Sequence, residues 1–398
     1  MRIRQNRTRE MAEPLKNSFN EATVRGLAKD LERVHKSFPA AAFISECVTA
    51  LPQLELTARA WHVAEAYHRH LPGKFHRQSD ILLQALGPVL DRTEAFGMSV
   101  FRYLPHVFFV AKYGLDESDF SQAMAFQHAV TQRFTAEFSL RPFLLQHQQR
   151  TLDVLTGWAT DPSVHVRRLV SEGTRPRLPW ASHLPPFQRD PSPVINLLET
   201  LKDDPELYVR RSVANNLNDI GKDNPGILVK LCKRWLAGPK ASVKPERAWI
   251  VNHALRSLIK QGDAGALAVL GFGDVTPVEI RKVRLVTAGP GRRVPLGGVM
   301  KFSCEVAASA QAKPTSMLLI DFAIHFVKAA GHTQRKVFKL TKARLSPGGM
   351  VAVSGQVSFR DMTTRKHHAG KHQLDLIVNG QTFPLASFAV DDTGGSLH

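Results

Sequence analysis

The chain has 398 residues, of which 53 are Lys or Arg and 35 are Asp or Glu, so its formal charge is +18. That length exceeds what one ordinary hydrophobic core organises, and two or three domains are expected. Apolar residues make up 43% of the chain, which excludes a mostly disordered protein. No run reaches the roughly 18 uninterrupted apolar residues of a membrane span, so a membrane protein is excluded as well.

The cysteines and the N-terminus predict a reduced, cytoplasmic protein. Cys47, Cys232 and Cys304 lie far apart and form no CxxC pair, so no disulfide framework is indicated. Residues 1–7 are basic, but the apolar core of a secretion signal does not follow, and we expect no export. The excess positive charge indicates either general solubility or a polyanionic partner such as nucleic acid.

Residues 19–271 show apolar spacing of three and four with frequent Pro and Gly breaks, which predicts an all-helical region. Segments 41–51 and 78–86 are typical, each a helix with one apolar stripe. We therefore assign residues 1–18 to a basic tail and lead-in, and residues 19–273 to a helical domain.

A sequence repeat lies inside the helical region. Residues 152–168 recur at 195–211, an offset of 43 that superimposes Asp161 on Asp204, and a looser third copy covers 227–252. Two helices per unit at this period are the signature of a HEAT-like solenoid. Such a stack curves, and its second helices line a concave face suited to a long partner.

From residue 277 the pattern changes to short β-branched runs bounded by Gly, Pro and Asn, which predicts strands. The candidate strands are 280–286, 300–307, 317–327, 335–340, 351–359, 373–378 and 383–390. Their number and spacing fit an immunoglobulin-like sandwich, assigned to residues 277–392, although Cys304 has no partner for the antibody disulfide. The predicted fold class is an all-α HEAT-like repeat solenoid followed by a smaller all-β immunoglobulin-like sandwich.

The segment 276–398 is strongly basic, with 17 Lys or Arg against 7 Asp or Glu. One interpretation is a soluble sandwich with basic loops. The other, which we favour, is a clamp that contacts the phosphates of a nucleic acid and gives affinity without reading sequence. The residues of this predicted clamp are Arg292, Arg293, Lys313, Arg365 and Lys366.

The helix predicted over residues 163–174 carries a polar face beside its apolar stripe. Arg168, Glu172 and Arg175 stand at i, i+4 and i+7 on that face. The equivalent positions one repeat later are Arg211, Asn215 and Asn218, with Asp219 beside them. An ordinary intrahelical ion pair between Arg168 and Glu172 explains the spacing. A functional surface of arginines and isolated carboxylates is the alternative.

A proline-containing loop follows that helix. Its two prolines, within residues 173–180, end the helix and stiffen the exit, which brings Trp180 near the polar face. Such an aromatic side chain either packs in the core or stacks on a nucleobase or sugar. Upstream, Glu137 supplies a further carboxylate, which is either a solvated charge or a helix-end partner of Arg141.

Other chemistries have little support. His367, His368 and His372 lack Cys or carboxylate companions, so a solvated basic loop is preferred to a metal site. No phosphate-binding glycine motif or GxSxG elbow stands in the required context. We therefore predict neither a metal nor a nucleotide cofactor.

Residues 171–180 (SEGTRPRLPW) and 208–220 (YVRRSVANNLNDI) resemble the signature segments of the AlkC family. This family comprises bacterial DNA alkylation-repair glycosylases of the HEAT-like repeat superfamily, which also contains AlkD. Residues 12–17 resemble the start of these proteins, which makes Met11, beside Met1, a candidate for the natural first residue. The C-terminal sandwich resembles the immunoglobulin-like extension of one subgroup.

The resemblance implies a glycosylase that excises cationic alkylated bases, notably 3-methyladenine and 3-methylcytosine, from double-stranded DNA. It implies Glu137, Glu172 and Asp219 as the active-site carboxylates. We assign the main role to Glu172, with Glu137 and Asp219 supporting it. Trp180 would contact the lesion nucleotide, and Arg168 would lie at the lesion or the backbone. The other predicted DNA contacts of the helical domain are Arg175, Arg177, Arg211, Asn215 and Asn218.

Physical chemistry agrees with this interpretation. A base that is already cationic leaves readily, so carboxylates beside the sugar need only stabilise an oxocarbenium-like cation and place water. The family bends DNA instead of swinging the base into a deep pocket. We expect a monomeric, monofunctional hydrolase without cofactors that acts at the nucleoid. The rival interpretation is a non-catalytic HEAT-repeat scaffold that binds DNA or protein.

Overall fold

The structure is a computed structural model, and it describes residues 14–94, 97–238, 243–273, 277–310, 316–361 and 366–392. Met11, Lys313 and Arg365 lie outside these described residues. The chain divides into two compact units. The first comprises Met1–Asn224 and Pro239–Ala254, and the second comprises Pro225–Gly238 and Leu255–His398.

The described residues form sixteen α-helices. In chain order these are α1 (Glu21–Val34), α2 (Ala40–Ala50), α3 (Leu56–His70), α4 (Phe75–Ala85), α5 (Leu104–Tyr113), α6 (Phe120–Thr131), α7 (Glu137–Gln146), α8 (Gln148–Trp158), α9 (Val164–Gly173), α10 (Pro185–Arg189), α11 (Ser192–Leu201), α12 (Leu207–Asp223), α13 (Pro225–Trp235), α14 (Pro245–Ala254), α15 (Arg256–Gln261) and α16 (Ala264–Val269). No helix among the described residues is both long enough and apolar enough to cross a membrane.

The 43-residue repeat has a structural cause at the turn before each second helix. Asp161 Oδ1 accepts a hydrogen bond from the Ser163 N–H at 2.7 Å, and Asp204 Oδ1 accepts one from the Glu206 N–H at 2.9 Å. These matching Asx turns start α9 and α12. Helix α8 packs on α9, α11 packs on α12, and α9 packs on α12, so two copies are neighbouring helical hairpins. The third copy corresponds to α13 and α14.

Apolar side chains spaced along each second helix supply the core of these hairpins. Val166, Leu169 and Val170 of α9 are buried, which confirms the predicted apolar stripe. Val209 and Val213 occupy the same face of α12 and are also buried. Burial of one apolar stripe leaves the opposite face of each helix available for polar groups.

The described C-terminal residues form eight strands. They are β1 (Val278–Val286), β2 (Arg293–Pro295), β3 (Val299–Ala308), β4 (Ser316–Val327), β5 (Thr333–Leu345), β6 (Met350–Ser358), β7 (Gly370–Val378) and β8 (Gln381–Asp391). One sheet has the order β1-β3-β6 and the other β2-β8-β7-β4-β5, with β2 parallel to β8 and the other pairs antiparallel. The seven predicted strands are confirmed, and the short strand β2 was missed because three residues carry no periodicity.

The core of the sandwich is a cluster of buried apolar side chains that includes a free cysteine. Phe302, Phe322 and Phe359 are buried in one cluster, and Cys304 is buried among them as a free thiol. His367 and His372 are also buried, with His372 stacked on an aromatic ring of β8. The predicted solvated basic loop is therefore wrong for these two histidines.

Candidate active site

Three carboxylates come together from three packed helices. Glu137 begins α7, Glu172 lies in the last turn of α9, and Asp219 lies on α12. Helix α9 packs against both α7 and α12. Gly173 permits the close approach, because a Cβ atom at this position would collide with the Leu140 side chain of α7.

Arg168 joins two of these carboxylates. Its Nη1 donates to Glu137 Oε2 at 2.7 Å and to Thr135 Oγ1 at 2.9 Å, and its Nη2 lies 3.5 Å from Glu172 Oε1. The guanidinium also lies over the Tyr208 ring, 5.3 Å from its centroid. The Arg168–Glu172 pair suggested by the sequence is therefore part of a wider, mostly buried network.

Arg175 joins the third carboxylate to the same network. Its Nη1 donates to Glu172 Oε1 at 2.6 Å, and its Nε donates to Asp219 Oδ2 at 2.8 Å. Ser212 Oγ donates to Glu172 Oε2 at 2.6 Å, and Lys222 Nζ donates to Asp219 Oδ1 at 2.8 Å. Arg175 is only 8% exposed, and its two hydrogen bonds hold Glu172 and Asp219 in place.

The network keeps Glu172 ionised. Burial alone would raise its pKa, but the charges of Arg168 and Arg175 and the hydrogen bonds from Ser212 and Arg175 outweigh burial and hold the pKa below the ordinary value of 4.5. Burial alone would lower the pKa of Arg175, but the charges of Glu172 and Asp219 raise it. Such a carboxylate is a poor proton donor at neutral pH and a persistent negative charge. It is suited to stabilising a cation.

A buried arginine holds the loop that follows α9. Arg141 is 1% exposed, and it donates to the backbone oxygens of Ser182 at 2.6 Å and Arg175 at 2.9 Å. The sequence indicated Arg141 only as a partner for Glu137, which the structure pairs with another arginine. A planar guanidinium suits this bridging of two carbonyls. Its role depends on loop carbonyls far along the chain, so spacing alone gave no signal for it.

Trp180 is an exposed aromatic side chain of that loop. It is 78% exposed, and its φ of 64° lies in the left-handed region that non-glycine residues adopt rarely. Backbone strain of this kind persists where the surrounding structure enforces it. The alternative in which Trp180 packs in the core is therefore excluded.

We call the bonded set of Glu137, Glu172, Asp219, Arg168 and Arg175 the acid network. A cleft of about 730 Å³ opens beside it. Among its lining residues are Glu137, Glu172, Arg175, Trp180, Phe101, Phe108, Phe134 and Phe138. Asp219 is 1% exposed and is not among the lining residues. A mostly apolar concavity with a few convergent polar groups is the usual form of a ligand site.

Two predicted DNA contacts of the helical domain have internal partners. Arg177 Nε donates to Asp223 Oδ2 at 2.8 Å, and Arg177 Nη2 donates to Oδ1 of the same carboxylate at 2.5 Å. Asn218 is 3% exposed, and its amide donates to the backbone oxygen of Ala254 at 2.8 Å. Asn218 therefore joins α12 to α14 and does not face a ligand.

Two others lie nearer the surface of α12. Arg211 is exposed, and Asn215 is half-buried with its Oδ1 3.3 Å from His253 Nε2 of α14. Of the two, Arg211 is the side chain that can reach a partner without rearrangement.

The residues of the predicted clamp that the structure describes lie at the surface of the sandwich. Arg292, Arg293 and Lys366 are exposed, but Arg293 Nη1 lies 3.2 Å from Asp391 Oδ2, which offsets its charge. Lys313 and Arg365 lie outside the described part of the chain.

The densest row of cations in the sandwich is on strand β5, which forms an edge of the five-stranded sheet. Its exposed cations are Arg335, Lys336, Lys339, Lys342 and Arg344. The strand itself contains no carboxylate. This pattern was available in the sequence but was missed because the clamp was sought on turns.

Comparisons with known proteins fit this architecture. A family model described as the C-terminal Ig-like domain of the uncharacterised protein YhaZ matches residues 286–392. The chain is 34% identical over 378 residues to the uncharacterized protein YhaZ of Bacillus subtilis (strain 168), covering 94% of this chain and 99% of that protein. The structure of Pseudomonas fluorescens alkylpurine DNA glycosylase AlkC, bound to DNA containing an abasic site analog, matches with a TM-score of 0.82 and 35% identity, covering 95% of this chain and 99% of that one.

The fold and the site define a helical-repeat protein of the HEAT-like class with a C-terminal immunoglobulin-like domain. More narrowly, the chain belongs to the AlkC-type family, in the subgroup that carries this domain and includes YhaZ. The resemblance of residues 171–180 and 208–220 to that family is thereby confirmed.

Proposed function

We propose that the protein is a DNA glycosylase that hydrolyses the N-glycosidic bond of cationic alkylated bases, namely 3-methyladenine and 3-methylcytosine, in duplex DNA. The proposal rests on one observation: Glu137 and Glu172 line the same cleft as the exposed Trp180, within a network that keeps Glu172 ionised. The overall similarity to an alkylpurine DNA glycosylase supports it.

Glu172 supplies the negative charge that the reaction needs. A methylated base already carries positive charge, so its departure needs no proton donor, and the developing charge on the sugar is the main barrier. A fixed carboxylate beside that sugar lowers the energy of the cation without reorganising during the reaction. The lowered pKa of Glu172 makes it this electrostatic group and argues against general acid catalysis.

The other two carboxylates divide the remaining work. Glu137 lines the cleft, where it can orient the attacking water and accept its proton. Asp219 is 1% exposed and is held by Arg175 and Lys222. We therefore assign Asp219 to fixing Arg175, which in turn fixes Glu172. The reaction leaves an abasic site, as expected of a monofunctional hydrolase.

Trp180 and the basic sandwich account for DNA binding without a deep base pocket. An exposed aromatic side chain on a strained loop suits contact with a nucleotide exposed by bending of the duplex. The exposed cations of β5, with Arg292 and Lys366, suit contact with phosphates. Lysines on an edge strand also prevent edge-to-edge aggregation, which is the structural explanation of the same residues.

The test is release of the methylated base from a duplex that contains one 3-methyladenine, with the unmodified duplex as substrate control. The proposal predicts release in the presence of chelator and without added nucleotide. Binding of the duplex with no release of 3-methyladenine or 3-methylcytosine would instead favour the scaffold interpretation.

A further inference from the structure

Helix α14 carries a pair of aromatic rings at the positions that hold charged residues in the equivalent helix α9. Counting from the first residue of each helix, the fifth position is Arg168 in α9, Arg211 in α12 and Trp249 in α14. The ninth position is Glu172 in α9, Asn215 in α12 and His253 in α14. The positions that carry Arg168 and Glu172 in α9 thus carry Trp249 and His253 in α14, the second helix of the third repeat.

Side-chain contacts support this equivalence. The Tyr208 ring of α12 lies beneath the Arg168 guanidinium of α9, and Asn215 Oδ1 lies 3.3 Å from His253 Nε2. These contacts link α9 to α12 and α12 to α14, and the second of them joins the ninth positions of α12 and α14. Asp219, which is bound to the acid network, is one helical turn from Asn215 on α12.

The aromatic pair is built as a platform. The rings of Trp249 and His253 are stacked, with centroids 5.1 Å apart and planes 6° apart. Trp249 is nevertheless 38% exposed, which leaves part of the indole able to contact a partner. Arg211 is exposed at the fifth position of α12, which packs against α14, and it supplies a positive charge there.

We propose that Trp249, His253 and Arg211 form a second contact with duplex DNA, beyond the nucleotide that faces the acid network. The indole stacks on an unstacked base or packs against a sugar, and Arg211 contacts a phosphate. The partner is chosen by charge complementarity with a strongly basic chain and by continuity with the candidate active site. This inference rests on the proposed glycosylase function and adds to it a positioning surface.

The test compares binding of the full chain and the Trp249→Ala variant to a long duplex that contains an abasic-site analogue, and to two duplexes shortened on either side of it. Stacking of this kind contributes about tenfold to affinity, so we expect roughly that loss on the long duplex. The loss should disappear on one of the two shortened duplexes, because that one lacks the contacted segment. Trp249→Phe should retain most of the affinity.

Trp158 of α8 provides a matched control. It is a half-buried tryptophan that also packs against a histidine, His128, with ring centroids 5.3 Å apart, but it belongs to a first helix of the repeat. Trp158→Ala should leave DNA affinity unchanged. If Trp249→Ala lowers thermal stability, the test uses Arg211→Ser in its place, because Arg211 is exposed and its replacement should not disturb the fold. We expect the same loss of affinity.

The outcomes separate this inference from the proposed function. Unchanged affinity in both Trp249→Ala and Arg211→Ser, with normal base release, would overturn the second contact and leave the glycosylase proposal standing. Equal losses in Trp249→Ala and Trp158→Ala would also overturn it. Failure of the unmodified protein to bind or cleave alkylated duplex would remove the proposed function itself.

Discussion

The helical acid site and the immunoglobulin-like sandwich use charge in opposite ways. In the helical unit, Glu172, Asp219 and Arg175 are all buried, and Arg175 donates a hydrogen bond to each of the two carboxylates. In the sandwich, the cations of β5 are exposed, and the strand contains no carboxylate. Buried charges interact in a medium of low effective dielectric and are weakly screened, whereas exposed charges are screened by salt.

This difference separates the two tasks of a DNA-processing protein. Buried, fully paired charges fix the position of a reactive group, and removing one partner leaves the other charge buried and unpaired. Exposed cations contribute to affinity one phosphate at a time, and each is dispensable. Substitutions in the helical network should therefore alter folding and chemistry, and substitutions on β5 should alter only binding and its salt dependence.

Arg175→Met should have the largest effect. It leaves two buried carboxylates without their shared partner, so we expect a loss of about 3–5 kcal/mol in the free energy of unfolding. Chemical denaturation of both proteins measures it. Arg177→Met is the control on the same loop, because the pair of Arg177 with Asp223 is more exposed. A similar loss in both variants would contradict the distinction between buried and surface pairs.

The pH dependence of stability should change in the same variant. Because the folded pKa of Glu172 is below 4.5, its contribution is fully present above that value and is lost as pH falls through the folded pKa. Removing Arg175 raises the folded pKa towards the unfolded value, so the stability lost on lowering the pH below about 4.5 should be smaller than in the unmodified protein. Unfolding free energies measured from about pH 3 to pH 7 test this. Identical profiles would show that Arg175 does not set the ionisation of Glu172.

Arg141 should act by positioning the loop that carries Trp180. Arg141→Met removes a donor from the buried carbonyl of Arg175 and the partly buried carbonyl of Ser182, and we expect about 2–3 kcal/mol of destabilisation together with slower base release. Arg141→Lys should restore stability better than base release, because an ammonium lacks the planar geometry that bridges both carbonyls. Single-turnover rates measured with saturating protein distinguish positioning from stability. Equal recovery of both properties would indicate a purely structural role.

Gly173→Ala should have a moderate effect. The added methyl group meets the Leu140 side chain, and overpacking of this kind destabilises by about 1–3 kcal/mol. It also moves α9 away from α7, so base release should fall more than DNA binding. Gly157→Ala on α8 is the matched control, because no atom lies within 4 Å of the added Cβ there. Equal losses of stability and base release in the two variants would contradict the role of Gly173 in the packing of α9 against α7.

Neutralising β5 should have the smallest effect on the fold and none on chemistry. Replacing Lys336, Lys339 and Lys342 with Ser should reduce the slope of log affinity against log salt by up to about 0.9 for each phosphate that the variant no longer neutralises. Arg293→Ser is the control, since Asp391 already offsets that charge. An unchanged slope in the triple variant would mean that β5 serves only to protect a sheet edge.

The sequence predicts the elements of this fold better than it predicts their side-chain partners. The repeat was detectable because Asp161 and Asp204 start equivalent helices through the same turn, and strands were detectable through their alternation. The spacing placed Arg175 on the polar face of its helix, but it could not show that Arg175 is buried between Glu172 and Asp219. The burial of His367 and His372 was missed for the same reason: burial depends on the whole sandwich.

The central claim is that the ionised carboxylate of Glu172 stabilises positive charge on the sugar during base release. Its most direct test is the single-turnover rate of 3-methyladenine release by Glu172→Gln, beside Glu206→Gln, an exposed residue of the same repeat region. We expect Glu172→Gln to lower the rate by about 100-fold to 1,000-fold while DNA affinity changes little, and Glu206→Gln to behave as the unmodified protein. Release by Glu172→Gln at the rate of the unmodified protein would contradict the claim.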